Sequence, residues 1–142
     1  MARPYRRHRR EMKGTMDRMK KSKREEIIRA YFRMWVRRDF SALDFIFAPG
    51  IYYSECYGPE YKGLEEIHRW VDAMLQKQEV LEWSIKDFLH EGDKVAVEWF
   101  FKERQANEVH GFDGVSIIAF QPDEKIASIK EFASKAEHRA PY

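Results

Sequence analysis

The apolar residues of this chain change their period partway along, and no other feature restricts the fold as strongly. Up to about residue 75 they recur every third or fourth position. From Val80 onward they alternate, with Leu81, Trp83 and Ile85 separated by Glu82, Ser84 and Lys86. A period near 3.6 belongs to helices with one buried face, and a period of two to strands that lay one face on a core. Helices are thus gathered in the first half and strands in the second. That arrangement is α+β, not the alternating α/β type.

Within the first half, Ser22-x-x-Glu25 forms a capping box and predicts a helix start at Ser22. Ile27, Ile28, Tyr31, Phe32, Trp35 and Val36 then give that helix one apolar face. A break is expected at Arg38-Asp39, then a short helix over 41–47, stopped by Ala48-Pro49-Gly50. Residues 51–57 read as a strand ended by Gly58-Pro59. Gly63 opens a third helix, whose stripe is Leu64, Ile67, Val71 and Met74 or Leu75. After the strand that begins at Val80, Glu91-Gly92-Asp93 makes a turn, and three more strands fall at 94–104, 108–120 and 125–136. Their joints, Gln105-Ala106-Asn107 and Gln121-Pro122-Asp123-Glu124, are short, so these neighbours run antiparallel.

At 142 residues, 44% of them hydrophobic, the chain suits one domain with a sizeable core. With 35% of residues charged and no apolar run near the roughly 20 residues of a spanning helix, no membrane association is expected. The lone Cys56 excludes an internal disulfide and a cysteine-rich zinc site, and makes a reducing cytoplasm the default compartment. Charge is uneven: residues 1–24 carry eleven Lys/Arg against two acids, while 25–142 carry fifteen against twenty-two. Residues 1–21 offer almost no apolar surface besides methionines and are expected as a disordered basic tail, with 22–142 as the single domain. No module for base recognition accompanies the tail, so nucleic acid is not an expected partner.

The element order, together with YFRMWVRRDFSALDFIFAPG, YYSECYGPEYKGLEEIHRW, EGDKVAVEWFF and FDGVSIIAFQPDEKIASIKEF, resembles the SnoaL-like branch of the nuclear transport factor 2-like superfamily. The resemblance runs from Ala30 to Phe132. It implies a cone-shaped curved antiparallel sheet wrapped around three N-terminal helices, enclosing an apolar pocket with a few polar groups. It does not imply one reaction, because such a fold carries enzymes and non-catalytic binding proteins alike. Set against ketosteroid isomerases, the resemblance places the proton-shuttling acid at Glu55, one oxyanion donor at Tyr31 and the second at Ser116, where those enzymes carry an acid.

By the same correspondence Glu98, His110, Phe112 and Glu131 face the pocket, joined by Trp70 and Met74 from the third helix. A carboxylate placed mid-strand in such a cone, as Glu55 is expected to be, should bind its proton more tightly than in water, which suits a general base near neutrality. No cofactor and no metal are expected, since the spacing of His110 and the acids matches no recognised ligand motif. Two functions stand open at this point. One is acid–base chemistry of the isomerase, cyclase or dehydratase type on a small apolar cyclic or carbonyl compound. The other is a non-catalytic ligand-binding or dimerisation module. Residues 95–101 and 115–120 are apolar on both parities, so both sheet faces should be covered, the outer one by a second copy of the chain.

Overall fold

A computed structural model describes the backbone of residues 3–142 and the side chains of residues 6–142. Helix α1 (Arg3–Arg37) is followed by α2 (Leu43–Ile46), strand β1 (Phe47–Ser54), the short β2 (Glu60–Lys62) and α3 (Gly63–Leu75). Four long strands complete the chain: β3 (Glu79–Glu91), β4 (Lys94–Gln105), β5 (Glu108–Phe120) and β6 (Ile126–Ser134). They form one six-stranded sheet in the order β2-β1-β6-β5-β4-β3. The fold is α+β with a curved, unclosed sheet around the helices.

Three details differ from expectation. First, α1 does not begin at Ser22; the helix runs back without interruption to Arg3, so the basic segment is helical and Ser22 lies inside it. Its described side chains before Arg24 are almost all exposed, and the first buried one is Arg24. A run of Arg, Lys, Met and Glu has adequate helix propensity and lacks only an apolar face. Second, the sheet is not wholly antiparallel: β1 pairs with β6 in parallel, with Tyr53 opposite Ile129 and Ser54 opposite Lys130. Short joints dictate direction only for consecutive strands, and β1 reaches β6 through the rest of the fold. Third, β1 starts at Phe47, so Ala48-Pro49-Gly50 lies within it, where the β1–β6 register shifts between Phe47 and Tyr52. A proline lacks an N–H and is tolerated in a sheet at such an irregularity.

The turns follow their chemistry. Ala106 and Asn107, both at positive φ (49° and 65°), make the two-residue β4–β5 connection, the conformation that matches strand twist. Arg38 ends α1 in the left-handed region at φ 57°, and the Asp39 N–H closes back on the Met34 carbonyl at 3.1 Å. The Arg38 guanidinium then donates to the carbonyls of Gln78 (2.8 Å) and Leu75 (2.5 Å), tying the end of α1 to the end of α3. Nearer its middle, α1 is held by the buried Arg24. That side chain bonds both Glu124 carboxylate oxygens (2.8 and 3.0 Å) and the Gly92 carbonyl (3.0 Å), fastening the helix to two sheet turns.

Inside, Ile28, Tyr31, Phe32 and Trp35 of α1 meet Ile67, Trp70 and Val71 of α3 and the inward residues of the sheet. On β4 these are Val95, Val97, Trp99, Phe101 and Glu103. Bulges between Val80 and Glu82 and between Ile85 and Asp87 bend β3 and keep Trp83 and Ile85 on the core side.

Candidate functional site

Where α3 and the curved sheet diverge, a cavity of about 30 Å³ remains, counted as the space open to the centre of a water molecule. That is room for about two or three waters. Its walls are largely aromatic: Trp35, Trp70, Trp83, Trp99, Phe101 and Phe112, with Tyr53 and Tyr57. Val80, Gln78 and Cys56 fill the gaps, and two carboxyl groups, Glu55 and Glu131, enter it.

Glu131 comes from β6 and sits opposite Ser116 of β5 in the ladder. Its carboxylate accepts a 2.7 Å hydrogen bond from the Tyr53 hydroxyl. Tyr53 in turn accepts from the Tyr31 hydroxyl at 2.8 Å, and Tyr31 accepts from the Trp35 indole N–H at 3.0 Å. Four residues from three elements thus make a donor chain that ends on one carboxylate at the cavity. Burial pushes the Glu131 carboxyl up to about 8; the Tyr53 bond opposes this, and the charge of Glu55 adds to it. Burial likewise raises Tyr31 and Tyr53 well above the usual phenol range, so both remain hydroxyl donors.

Glu55 lies one residue beyond the end of β1, not mid-strand as the sequence suggests. It sits in a turn closed by its own N–H on the Pro59 carbonyl (2.9 Å) and by the Gly58 N–H on its carbonyl (3.2 Å). Burial raises its carboxyl, countered mainly by a 2.9 Å bond from the Tyr61 hydroxyl. The Trp70 indole N–H favours the ionised form too, without coming close enough for a hydrogen bond. Glu103, a third acid, is buried at the β3–β4 end of the cone and accepts from the side-chain amides of Gln78 and Gln105. Burial and the neighbouring Glu131 push the Cys56 thiol up to about 12, which makes it a poor nucleophile.

The expected site residues therefore separate. Glu55, Glu131, Phe112 and Trp70 do line the cavity. Tyr31 is fully buried behind Tyr53 and donates its hydrogen bond to that hydroxyl, so it does not line the cavity. Ser116 is buried and accepts from the Trp99 indole N–H at 2.9 Å, which occupies it structurally. Met74 packs against the core without reaching the cavity. Glu98 is exposed on the outer face, because Val97 and Trp99 on either side of it point inward. His110 shares the inward parity of its ladder partner Glu103, but it lies past the end of the cone, exposed and beside Glu108 at 3.3 Å. Tyr53, Gln78 and Glu103 escaped the sequence reading. Tyr53 alone left a signal, standing two positions from Glu55 on the same strand parity.

A curved sheet closing over three helices, with acids at the base of an aromatic cavity, defines a nuclear transport factor 2-like cone. The chain belongs to the SnoaL-like domain family, whose pattern matches residues 28–129. No curated protein matches it. Among solved structures, a candidate polyketide cyclase from Xanthomonas campestris pv. campestris superposes with a TM-score of 0.67 at 13% identity, over 81% of this chain and 93% of the other. A hypothetical protein of ketosteroid isomerase-like fold from Catenulispora acidiphila DSM 44928, in complex with trimethylamine, gives 0.68 at 20% identity, over 78% and 86%. A nuclear transport factor 2-like protein of unknown function from Exiguobacterium sp. 255-15 gives 0.66 at 19%, over 76% and 98%. At these identities the likeness is one of fold. No helix among the described residues is long and apolar enough to cross a membrane.

Proposed function

We propose that the cone binds a small, mainly apolar molecule and transfers a proton on it, with Glu55 as base and Glu131 as acid. The observation that carries this reading is the pair of carboxyl groups entering one aromatic cavity, both with raised proton affinity. Two titrating groups whose surroundings push them apart are the usual basis for an acid and a base at one pH. Glu131, the more strongly raised, holds its proton at pH 7 and can donate it; Glu55 can accept one. The Tyr31 and Tyr53 hydroxyls keep the Glu131 carboxyl oriented. The small cavity favours a compact substrate over a fused polycycle. The trimethylamine held by the Catenulispora neighbour is a precedent for an occupant of that size in this fold.

The test is deuterium exchange at the α-carbons of small cyclic ketones in D₂O, followed by proton NMR with and without protein. The protein should accelerate exchange, and Glu55→Gln should lower the acceleration by roughly 100-fold. A panel showing no acceleration, with Glu55 titrating at the ordinary glutamate value, would overturn the acid–base reading. The non-catalytic binding module would then be the better account.

We also propose that a second copy of the chain covers the outer sheet face. Leu89, Val109, Ile117 and Phe132 stand exposed there, Phe132 at 56% and Leu89 at 68%. A large exposed apolar patch is unusual on a monomer. Light scattering at micromolar concentration should give twice the 17.1 kDa chain mass, and a monomer would refute the pairing.

A further inference from the structure

The cavity is one-sided in its electrostatics. Its rings meet at steep angles, Trp83 against Trp99 at 88°, Trp83 against Phe101 at 82° and Tyr57 against Phe112 at 80°. These rings meet edge to face, and one face of Trp83 is covered by Phe32, stacked on it at 3.8 Å. Aromatic faces carry negative potential, and a cation set among them is attracted to each. The Glu55 carboxylate in the same space adds to that potential, the buried Glu103 reinforces it there, and Glu131 joins them once it ionises. Among the described lining residues there is no Lys, Arg or His. The basic group that acts on these acids, Lys77, is exposed just beyond α3 and opposes only the rise at Glu55. Buried acids without a cation are costly, and a partner of opposite charge relieves that cost.

We propose that the cone holds a small organic cation, an alkylated ammonium group, boxed by Trp83, Trp99 and Phe101 and balanced by Glu55 and Glu131. This rests on the reading of the cavity as a small-molecule site and names the chemical class of its occupant. Apolar walls suit alkyl groups on nitrogen and leave a metal ion too few oxygen ligands. The space suits a compact headgroup.

The charge balance gives the site a pH dependence of known sign. Facing the two acids are Tyr53 of β1, Tyr61 of β2, Cys56 and Tyr57 of the intervening turn, Glu103 of β4 and Lys77. The phenols and the thiol are all pushed upward and stay neutral near pH 7. A bound cation favours ionised Glu131, so binding at pH 7 releases a proton, and affinity rises as pH passes through about 8.

Two probes of matched shape test this: choline, a quaternary ammonium that cannot deprotonate, and its uncharged isostere 3,3-dimethylbutan-1-ol. Each is titrated calorimetrically into the full chain at pH 6.5 and pH 8.5. Choline should bind at least 10-fold more tightly than the alcohol at pH 8.5, with a smaller margin at pH 6.5. Glu131→Gln and Glu55→Gln should each erode that margin, and far-UV circular dichroism should show both variants folded. Equal affinities, or tighter binding of the alcohol, would overturn the cation and leave the small-molecule site standing. A choline preference that survives the double Gln variant would overturn the role given to the acids. Failure of both probes and of the cyclic ketones would overturn the inference and the proposed site together.

Discussion

Two polar groups point inward on neighbouring strands of this cone, Ser116 fully buried and Glu131 half-buried, and they meet different fates. Ser116 of β5 and Glu131 of β6 face each other across one rung of the sheet, and each receives a hydrogen bond from an aromatic side chain. The Trp99–Ser116 pair is closed: one donor and one acceptor satisfy each other, and neither titrates near neutrality. The Trp35–Tyr31–Tyr53–Glu131 chain is open: its donors are all spent on a carboxylate that faces a cavity. A closed pair specifies packing, whereas an open chain leaves an ionisable group whose charge depends on pH and on whatever enters. Burial of a polar group therefore does not by itself point to chemistry. Where its hydrogen-bond chain ends does.

The strongest way to break the closed side is through the residue beneath Trp99. A Cβ on Gly114 would lie 2.2 Å from the Trp99 Cη2 atom and 2.6 Å from the Phe132 carbonyl oxygen. Neither a sheet carbonyl nor a boxed indole can move far, so Gly114→Ala should cost about 3 kcal/mol in urea unfolding. Because Trp99 is also a cavity wall, binding of either probe should fall with it. A change below about 0.5 kcal/mol would show that the indole yields, and that the wall is softer than its packing implies.

Next in size is the open side. The Glu131 carboxyl goes from an ordinary value near 4.5 in the unfolded chain to about 8 in the fold. The folded state then binds the extra proton between those values. Its stability is full below about pH 4.5 and is lost as pH rises toward 8. Allowing for partial solvation, the loss across that window should be about 2 kcal/mol. Glu131→Gln should remove that slope and be the more stable protein at pH 8.5. A wild-type curve that is flat between pH 5 and 8 would mean that Glu131 is already ionised.

How far this contrast can be seen in the sequence depends on what sets each position. The β4 and β5 strands and their antiparallel pairing were readable, because the short joint between them, expected as Gln105-Ala106-Asn107 and found as Ala106-Asn107, is local. Glu55 and Glu131 were readable as pocket acids through parity and resemblance. Glu98 and His110 were not, for separate reasons. Parity around Glu98 is settled only by whether Trp99 or its neighbours turn inward in a run apolar on both sides. His110 keeps the inward parity, but the cone ends before reaching it. Tyr31 and Ser116 were expected to face the pocket as oxyanion donors, and the structure sets each behind an aromatic group, Tyr53 and Trp99. Sequence spacing records which face a side chain takes, not whether another aromatic group stands between it and the cavity. The parallel β1–β6 pairing belongs to the same class, since no nearby residue dictates it, whereas the backward run of α1 rests on local helix propensity without an apolar face.

Tyr53→Phe sharpens the comparison with a smaller effect. It deletes the bond that holds the Glu131 carboxyl down, so that carboxyl should titrate higher than about 8 by carboxyl-carbon NMR. The Tyr31 hydroxyl loses its acceptor at the same time, so about 1 kcal/mol of stability should be lost. If the Glu131 titration is unmoved, Tyr53 is not what orients the acid, and the chain of donors is packing alone.

The smallest effect is expected at the other member of the rung. Ser116→Ala removes the acceptor of the Trp99 indole N–H and leaves that N–H buried without a partner. The desolvation cost of an orphaned donor is about 1 kcal/mol, partly offset because alanine fits the space of serine. The loss should be the same at pH 5 and pH 8.5, since neither Ser116 nor Trp99 changes charge in that range. Choline affinity and ketone exchange should both stay at wild-type levels, because Ser116 does not line the cavity. Chemical unfolding at the two pH values and one titration decide the matter. A pH-dependent loss, or slower exchange, would mean that Ser116 communicates with Glu131 across their shared rung. The closed pair would then be a second branch of the open one.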